Sequence, residues 1–428
     1  MAGPPASTLE PVTADRPRSV LREVSFLRLW AGSTASGLAT WAMPFILGLA
    51  VLHSAITPTA LGLVLAVRTV GFLIAVPVGG VLADRWSRRS VVLWSSLAAA
   101  VATPVLAMSL GRSVALMAVA GAVIGAGQGA CRPAFQALTA EVVRPGRRQQ
   151  ANAAMTLAVR VTTLAGPALA ALLATVLDVP TLLLGSGVLW LAAALLPPRG
   201  KPAPAPASAP APDGAERTGF AAEFADGVRE ARRHPWFLGG LVALAAVIAT
   251  GYSATGVVLP MVSRDRYGTE AVLATAVTAY TAGALLGALL IARWRPRSRG
   301  WAALAALACY GFAPLSLWLP GPVALVVVAY AVAGVGIELF NVPWFTAIQR
   351  EVEPRRLARV SSLDFMVSYG LAPVGLALIA PAVDAFGPGP VLGLCTLVCF
   401  LVPAGAALVP TARHFSRGGA RSTPEAVA

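Results

Sequence analysis

The sequence predicts an all-α integral membrane protein, with twelve transmembrane helices in two pseudo-symmetric six-helix bundles. Three observations predict it. Apolar stretches near the ~20 residues needed to cross a hydrocarbon core of roughly 30 Å recur along the whole chain, in a sequence that is 57% hydrophobic and only 12% charged. All but six of the 33 Lys and Arg fall in alternate connections between those stretches or in the two terminal segments. A long polar interval then divides the chain into two halves of six stretches, and the halves share a local repeat.

At 428 residues and a mean hydropathy of +0.73, the chain holds more apolar surface than one soluble core can hide. The expected spans are Trp30 to Leu52, Thr59 to Ala83, Ser90 to Leu110, Val114 to Thr139, Ala153 to Leu177 and Pro180 to Leu196 in the first half. The second half supplies Phe237 to Val262, Glu270 to Ala292, Gly300 to Leu319, Pro322 to Ile348, Val360 to Ala382 and Val391 to Val409. The first apolar run is too long for a signal-peptide core and lacks a cleavage site, so it is expected to remain as a spanning helix.

The positive-inside rule orients these spans. With the N-terminus in the cytoplasm, only Arg112, Arg264 and Arg266 lie outside, and only Arg68, Arg132 and Arg160 lie within spans. This predicts a multi-pass protein of the inner (cytoplasmic) membrane with both termini cytoplasmic. The net charge of +14 is therefore topological, and nucleic acid is not an expected partner. Cys131, Cys309, Cys395 and Cys399 all lie in apolar runs, which indicates neither a disulfide framework nor a metal site.

The organisation that follows is a cytoplasmic N-terminal segment (1–29), a six-helix bundle (30–196), a cytoplasmic linker (197–236), a second bundle (237–409) and a cytoplasmic tail (410–428). The linker opens with PPRGKPAPAPASAPAPDG, a Pro/Ala tract that reads as an extended, semi-rigid spacer. In the following FAAEFADGVREARRHPW, Phe220, Phe224 and Val228 recur every four residues, predicting a short amphipathic helix on the cytoplasmic membrane surface. The repeat pairs PAFQALTAEV (133–142) with PWFTAIQREV (343–352), each at the end of the fourth span of its half, and the RW at 85–86 with that at 293–294. Parallel repeats of this kind are related by an axis along the membrane normal and suit two bundles rocking about a central site.

The stretch GVLADRWSRR (80–89) resembles the signature between spans 2 and 3 of the major facilitator superfamily. FLRLWAGSTAS, QANAAMTLAVR, AGPALA and QREVEPRRLARVSSLD are similar to the bacterial exporter branch that contains siderophore and macrolide efflux proteins. The resemblance implies that family's fold and a latch on the cytoplasmic side, with Gly80, Asp84, Arg85, Arg88 and Arg89 at the matching positions. Ser361 and Asp364 form an S-x-x-D pattern expected to cap span 11; Asp84 is expected near that positive helix end, with Arg88 or Arg89 binding it. The chain also departs from the family's antiporters. Gln128 and Gly129 are kept in span 4, but Gly125 stands where those proteins carry arginine. Gly166 and Pro167 in span 5 permit close packing or a kink, and Thr40 replaces an acid common in span 1.

Charges within spans are functional candidates by default. Glu338 is the one acid well inside a span and is the candidate proton or substrate site, with Arg132 an expected partner and Arg68 and Arg160 facing protein or water. The expectation is a monomeric secondary transporter, not an enzyme, which exports a small, largely hydrophobic molecule by proton antiport and alternating access. The bilayer and the substrate are its expected partners. No cofactor is expected, and the proton gradient supplies the coupling ion. An importer on the same fold is the nearest alternative. A polytopic enzyme would need a constellation that His53, His234 and His414 do not form. A sensor would be expected to carry a larger soluble domain.

Overall fold

The computed structural model describes residues 19–200, 219–269, 271–294 and 296–416. The start of the N-terminal segment, the Pro/Ala tract from residue 201 and the end of the tail lie outside the described residues. Among those described, 11 helices are long and apolar enough to cross a membrane, and Val179–Leu195 is a shorter apolar helix in the sixth position. The first bundle comprises span 1 (Val24–Leu52), span 2 (Pro58–Arg85), span 3 (Arg88–Ser109), span 4 (Val114–Val142), span 5 (Arg148–Leu173) and span 6 (Val179–Leu195). The second comprises span 7 (Pro235–Asp265), span 8 (Ala271–Arg293), span 9 (Arg299–Trp318), span 10 (Val323–Glu351), span 11 (Leu357–Phe386) and span 12 (Pro388–Ala407). A linker helix, Phe220–Arg232, lies between them.

Helix starts follow local chemistry. Thr57, Ser87, Ser113 and Asp178 each accept a hydrogen bond from a backbone N–H three residues on, satisfying a donor that the first turn would leave unpaired. Several helices run past their apolar stretches at the basic end of the molecule. Span 1 begins at Val24 rather than Trp30, and the adjacent Glu23 is ion-paired with Arg147. Span 11 begins at Leu357 rather than Val360. Helical hydrogen bonding does not stop at the edge of an apolar run, and at this basic end it carries charged side chains into register with one another.

Small residues set the distance between helices, as they do wherever backbones must touch in an apolar medium. Gly121, Gly125 and Gly129 form one face of span 4, and a Cβ at any of them would press on Val64, Arg68 or Phe72 of span 2. Span 2 answers with Gly71 and Gly79 against Ala122 and Ala130. The second bundle repeats the device between spans 8 and 10, where Gly283 and Gly287 face Ala331 and Val335, and Gly334 faces Tyr280. Spans 4 and 10 are both 29 residues long with an internal proline, Pro133 and Pro343. Each is followed by a single 3-10 turn, Pro145–Arg147 and Pro354–Arg356. Two helices that interrupt the α pattern lie in the second bundle: span 7 contains a π-helical turn at Val247–Tyr252, and span 9 a 3-10 turn at Cys309–Gly311.

Gly125→Val places branched carbon against the Arg68 carbonyl, and overpacking of this kind costs about 1–3 kcal/mol or more. The variant is expected to lose the monodisperse peak in size-exclusion chromatography, whereas Gly185→Ala, with open space around it, is expected to keep it.

Candidate functional site

The two bundles meet along a seam that is tied at the basic end. The Asp84 carboxylate, on the last turn of span 2, accepts hydrogen bonds from the backbone N–H groups of Ala358 (3.1 Å) and Arg359 (2.9 Å) at the start of span 11. It is thus the N-terminal cap of a helix in the other bundle, placed where the partial positive charge of that helix favours it. Gly80, one turn earlier, makes the approach possible: a Cβ there would meet the Ala358 carbonyl at 2.8 Å and Ser362 at 2.7 Å. Arg88 pairs with Glu141 (2.9 Å), stands 3.8 Å from Asp84 and donates to the Pro354 carbonyl across the seam.

Most of the GVLADRWSRR stretch is helix. Span 2 runs through Arg85 and span 3 begins at Arg88, so only Trp86 and Ser87 connect them. Ser361 and Asp364 are not caps, which corrects the expectation from the S-x-x-D pattern. The 3-10 turn before span 11 moves the helix start to Leu357, so both residues lie inside the helix. Asp364, 1% exposed, accepts instead from Trp344 Nε1 (2.9 Å). Arg89 does not reach Asp84; its Nη2 donates to the Leu195 carbonyl (3.4 Å) at the end of span 6.

The linker helix turns its acids inward and leaves Arg229, Arg232 and Arg233 exposed. Its acids dock on the latch. Glu223 is ion-paired with Arg85 of span 2 and with Arg359 of span 11 (3.1 Å), so one carboxylate bridges both bundles. Asp226 and Glu230 bind Arg356 (2.8 and 3.0 Å). These acids were not singled out by periodicity, which registers the apolar face of an amphipathic helix and not the partner of the polar one.

A second layer closes the seam between spans 5, 8 and 10. Asn152 Nδ2 donates to Thr346 and Gln349 (both 2.9 Å), Gln349 Nε2 donates to the Gln136 carbonyl (3.1 Å), and Arg148 Nη1 donates to the Gln349 carbonyl (2.6 Å). Gln149 donates to the Ile291 and Trp294 carbonyls at the end of span 8. Amides carry no charge pattern; Gln136 and Gln349 lie within a turn or so of the repeated Pro-x-Phe stretches, but Gln149 and Asn152 of span 5 do not.

Deeper in, about 20 Å along span 10 from its basic end, Glu338 is fully buried and its Oε1 accepts from Arg160 Nε of span 5 at 2.5 Å. Asn341, less than one turn further along span 10, also interacts with the Glu338 carboxylate. Arg160 keeps 23% of its side chain accessible and lies over the Tyr280 ring at 5.8 Å. The partner of Glu338 is therefore Arg160 and not Arg132: Arg132 projects from a different face of the seam, over the Tyr369 ring at 5.8 Å, with Nε and Nη2 buried and unpartnered. Arg68 Nη2 donates to Gln128 Oε1 (2.7 Å) and to the Thr40 carbonyl (3.2 Å). Gly125 admits the span 2 backbone, and Arg68 delivers its guanidinium to Gln128 from there. Thr40 contributes its backbone, and its hydroxyl is unpartnered. Gly166 and Pro167 pack span 5 on span 1, where a Cβ at Gly166 would lie 3.1 Å from Trp41 and Ala42.

Among the described residues, every hydrogen bond and ion pair between the two bundles lies at the Arg160–Glu338 pair or nearer the basic end. No group of three or more His, Cys, Asp or Glu among them is arranged to hold a metal.

The family profile described as Major Facilitator Superfamily matches residues 29–376. The structure is similar to that of the human organic anion transporter MFSD10 (TETRAN), with a TM-score of 0.67 at 16% identity over 90% of this chain and 98% of that one. It is similar to a bacterial homologue of the iron transporter ferroportin in an outward-facing state with soaked iron, with a TM-score of 0.68 at 16% identity over 90% and 99%. The E. coli fucose:proton symporter FucP gives 0.63 at 16% identity over 90% and 98%. At this identity the likenesses show the fold. No curated protein sequence matches the chain.

Asp84→Asn removes the charge from the cap of span 11 and from its two arginine neighbours. A loss of about 1–1.5 kcal/mol at this contact moves the open-to-closed ratio roughly tenfold. Spin labels on the exposed positions Arg144 and Arg355 are expected to report a longer distance in the variant, with insertion unchanged.

Proposed function

The chain belongs to the Major Facilitator Superfamily, and on that premise we propose that it is a secondary active exporter of the cytoplasmic membrane. In this reading it moves a small, largely hydrophobic molecule outward in exchange for protons, by alternating access between bundles 30–196 and 237–409. The basic end is cytoplasmic by the positive-inside rule, and the ties gathered there make the arrangement described above the outward-facing one. The protein works as a monomer, and its coupling agent is the proton gradient rather than a bound cofactor.

The observation that carries the reading is the Arg160–Glu338 pair. It is the deepest bond across the seam, and its acid is fully buried. In a low-dielectric interior a lone charge is costly, so the ionised carboxylate and Arg160 hold each other across the two bundles. A proton on Glu338 cancels the carboxylate charge and loosens that tie. Substrate and proton then occupy the site in turn, which is the condition for exchange, and each charge moved contributes about 2.3 kcal/mol per 100 mV.

Glu338→Gln keeps the shape of the side chain and removes the titration. It is expected to abolish substrate-driven proton movement in proteoliposomes while substrate binding and folding persist; export against a gradient at the normal rate would make Glu338 structural. Inverted and right-side-out vesicles separate export from import by the direction of net movement.

Breaking the pair from one side strands the other charge at a cost of about 3–5 kcal/mol, whereas removing both is often close to neutral. Arg160→Gln is therefore expected to lower the melting temperature by several degrees. The double variant Arg160→Gln/Glu338→Gln is expected to recover most of that stability but not the coupling.

A further inference from the structure

One arginine of the signature stretch takes no part in the latch. Arg85 and Arg88 have acid partners, but Arg89 turns outward to the end of span 6. There it meets two arginines from other elements. Arg89 Nη2 donates to the Leu195 carbonyl, Arg28 Nε of span 1 donates to the next carbonyl, Leu196 (3.0 Å), and Arg199 follows three residues later. Consecutive carbonyls bring the Arg28 and Arg89 guanidinium groups side by side, and the like charges of Arg28 and Arg199 both act on Arg89.

Among the described residues none of the three makes an ion pair, and Arg89 Nη1 is buried with no hydrogen-bond partner. The C-terminal end of a helix supplies about half a negative charge, which three guanidinium groups exceed severalfold. The cluster lies at the basic ends of spans 1, 3 and 6, with Arg89 three residues along the chain from Trp86, which is 70% exposed. Exposed tryptophans of this kind sit at the boundary between hydrocarbon and headgroups.

We propose that Arg28, Arg89 and Arg199 form a binding site for the phosphodiester of an anionic phospholipid in the leaflet at the basic end. The non-bridging oxygens of a phosphodiester accept paired N–H donors from guanidinium forks, a geometry that an ammonium does not offer. The exposed Leu195 and Leu196 at the end of span 6 offer apolar surface to the acyl chains. A zwitterionic headgroup brings its own cation to a site already in positive excess and is disfavoured, in line with the general preference of basic interfacial pockets for acidic lipids. The site is independent of transport direction and of coupling.

Native mass spectrometry of the full chain in detergent tests this, read on the folded monomer only, after incubation with phosphatidylglycerol or phosphatidylcholine. The wild type is expected to retain phosphatidylglycerol roughly tenfold better than phosphatidylcholine. Arg89→Gln/Arg199→Gln is expected to erase the difference, and Arg413→Gln, a basic residue on the other bundle, is expected to leave it intact. Arg199→Gln alone lies beyond the end of span 6 and perturbs the fold least; it is expected to lose severalfold. Millimolar inorganic phosphate is expected not to displace the lipid. Equal retention of the two lipids, unchanged retention in the double variant, or full displacement by inorganic phosphate would each overturn the proposal.

Discussion

A carboxylate inside a helical membrane bundle has to be matched by a donor or a cation, because no water is at hand to solvate it. This chain has 19 acids for 33 Lys and Arg, so acids are the scarce half of every pair. Where they are placed decides which helices are held together. Three positions do most of the organising: Asp84 on the start of span 11, Glu223 between Arg85 and Arg359, and Glu338 on Arg160. Each joins the first bundle to the second, directly or through the linker helix.

The three differ in depth and in strength. Asp84 gains from two backbone donors and a helix dipole, and it is close to two arginines, so its contact is directional and built for one relative position of the bundles. Glu223 is largely buried between Arg85 and Arg359, and its effect comes from bridging two bundles with one side chain. Glu338 is fully buried, and the cost of leaving it unpaired is largest. A closed basic end with a single deep tie above it is the arrangement expected when opening requires the shallow ties to yield together once the deep one is released. Glycine-lined contacts between spans 2 and 4, and between spans 8 and 10, keep each bundle rigid enough to move as a unit.

Much of the fold was legible in sequence because the bilayer imposes length and polarity on each span, and because basic residues report the side of each connection. The pairing of side chains was less so. Glu338 stood out as an acid in an apolar run, but its partner could not be read from one helix, since whether Arg132 or Arg160 faces it depends on the rotation of spans 4 and 5. Ser361 and Asp364 matched a capping pattern that the 3-10 turn Pro354–Arg356 bypasses, and the true cap comes from residue 84, far away in the chain. The layer in which Asn152 meets Gln349, and Gln349 the Gln136 carbonyl, was hardly legible, because neutral polar residues near helix ends are common and only their convergence distinguishes them.

The account's central claim is that a proton on Glu338 loosens the link between the bundles. The most direct measurement is the distance between spin labels at positions 144 and 355 in liposomes as a function of pH, in the wild type and in Glu338→Gln. Acidification is expected to lengthen the distance in the wild type by populating the arrangement open at the basic end. The variant, whose residue 338 is neutral at every pH, is expected to respond much less than the wild type, with the remainder coming from Asp84 at the start of span 11. A wild type that does not respond to pH, or a variant that responds to the same extent as the wild type, would contradict the claim.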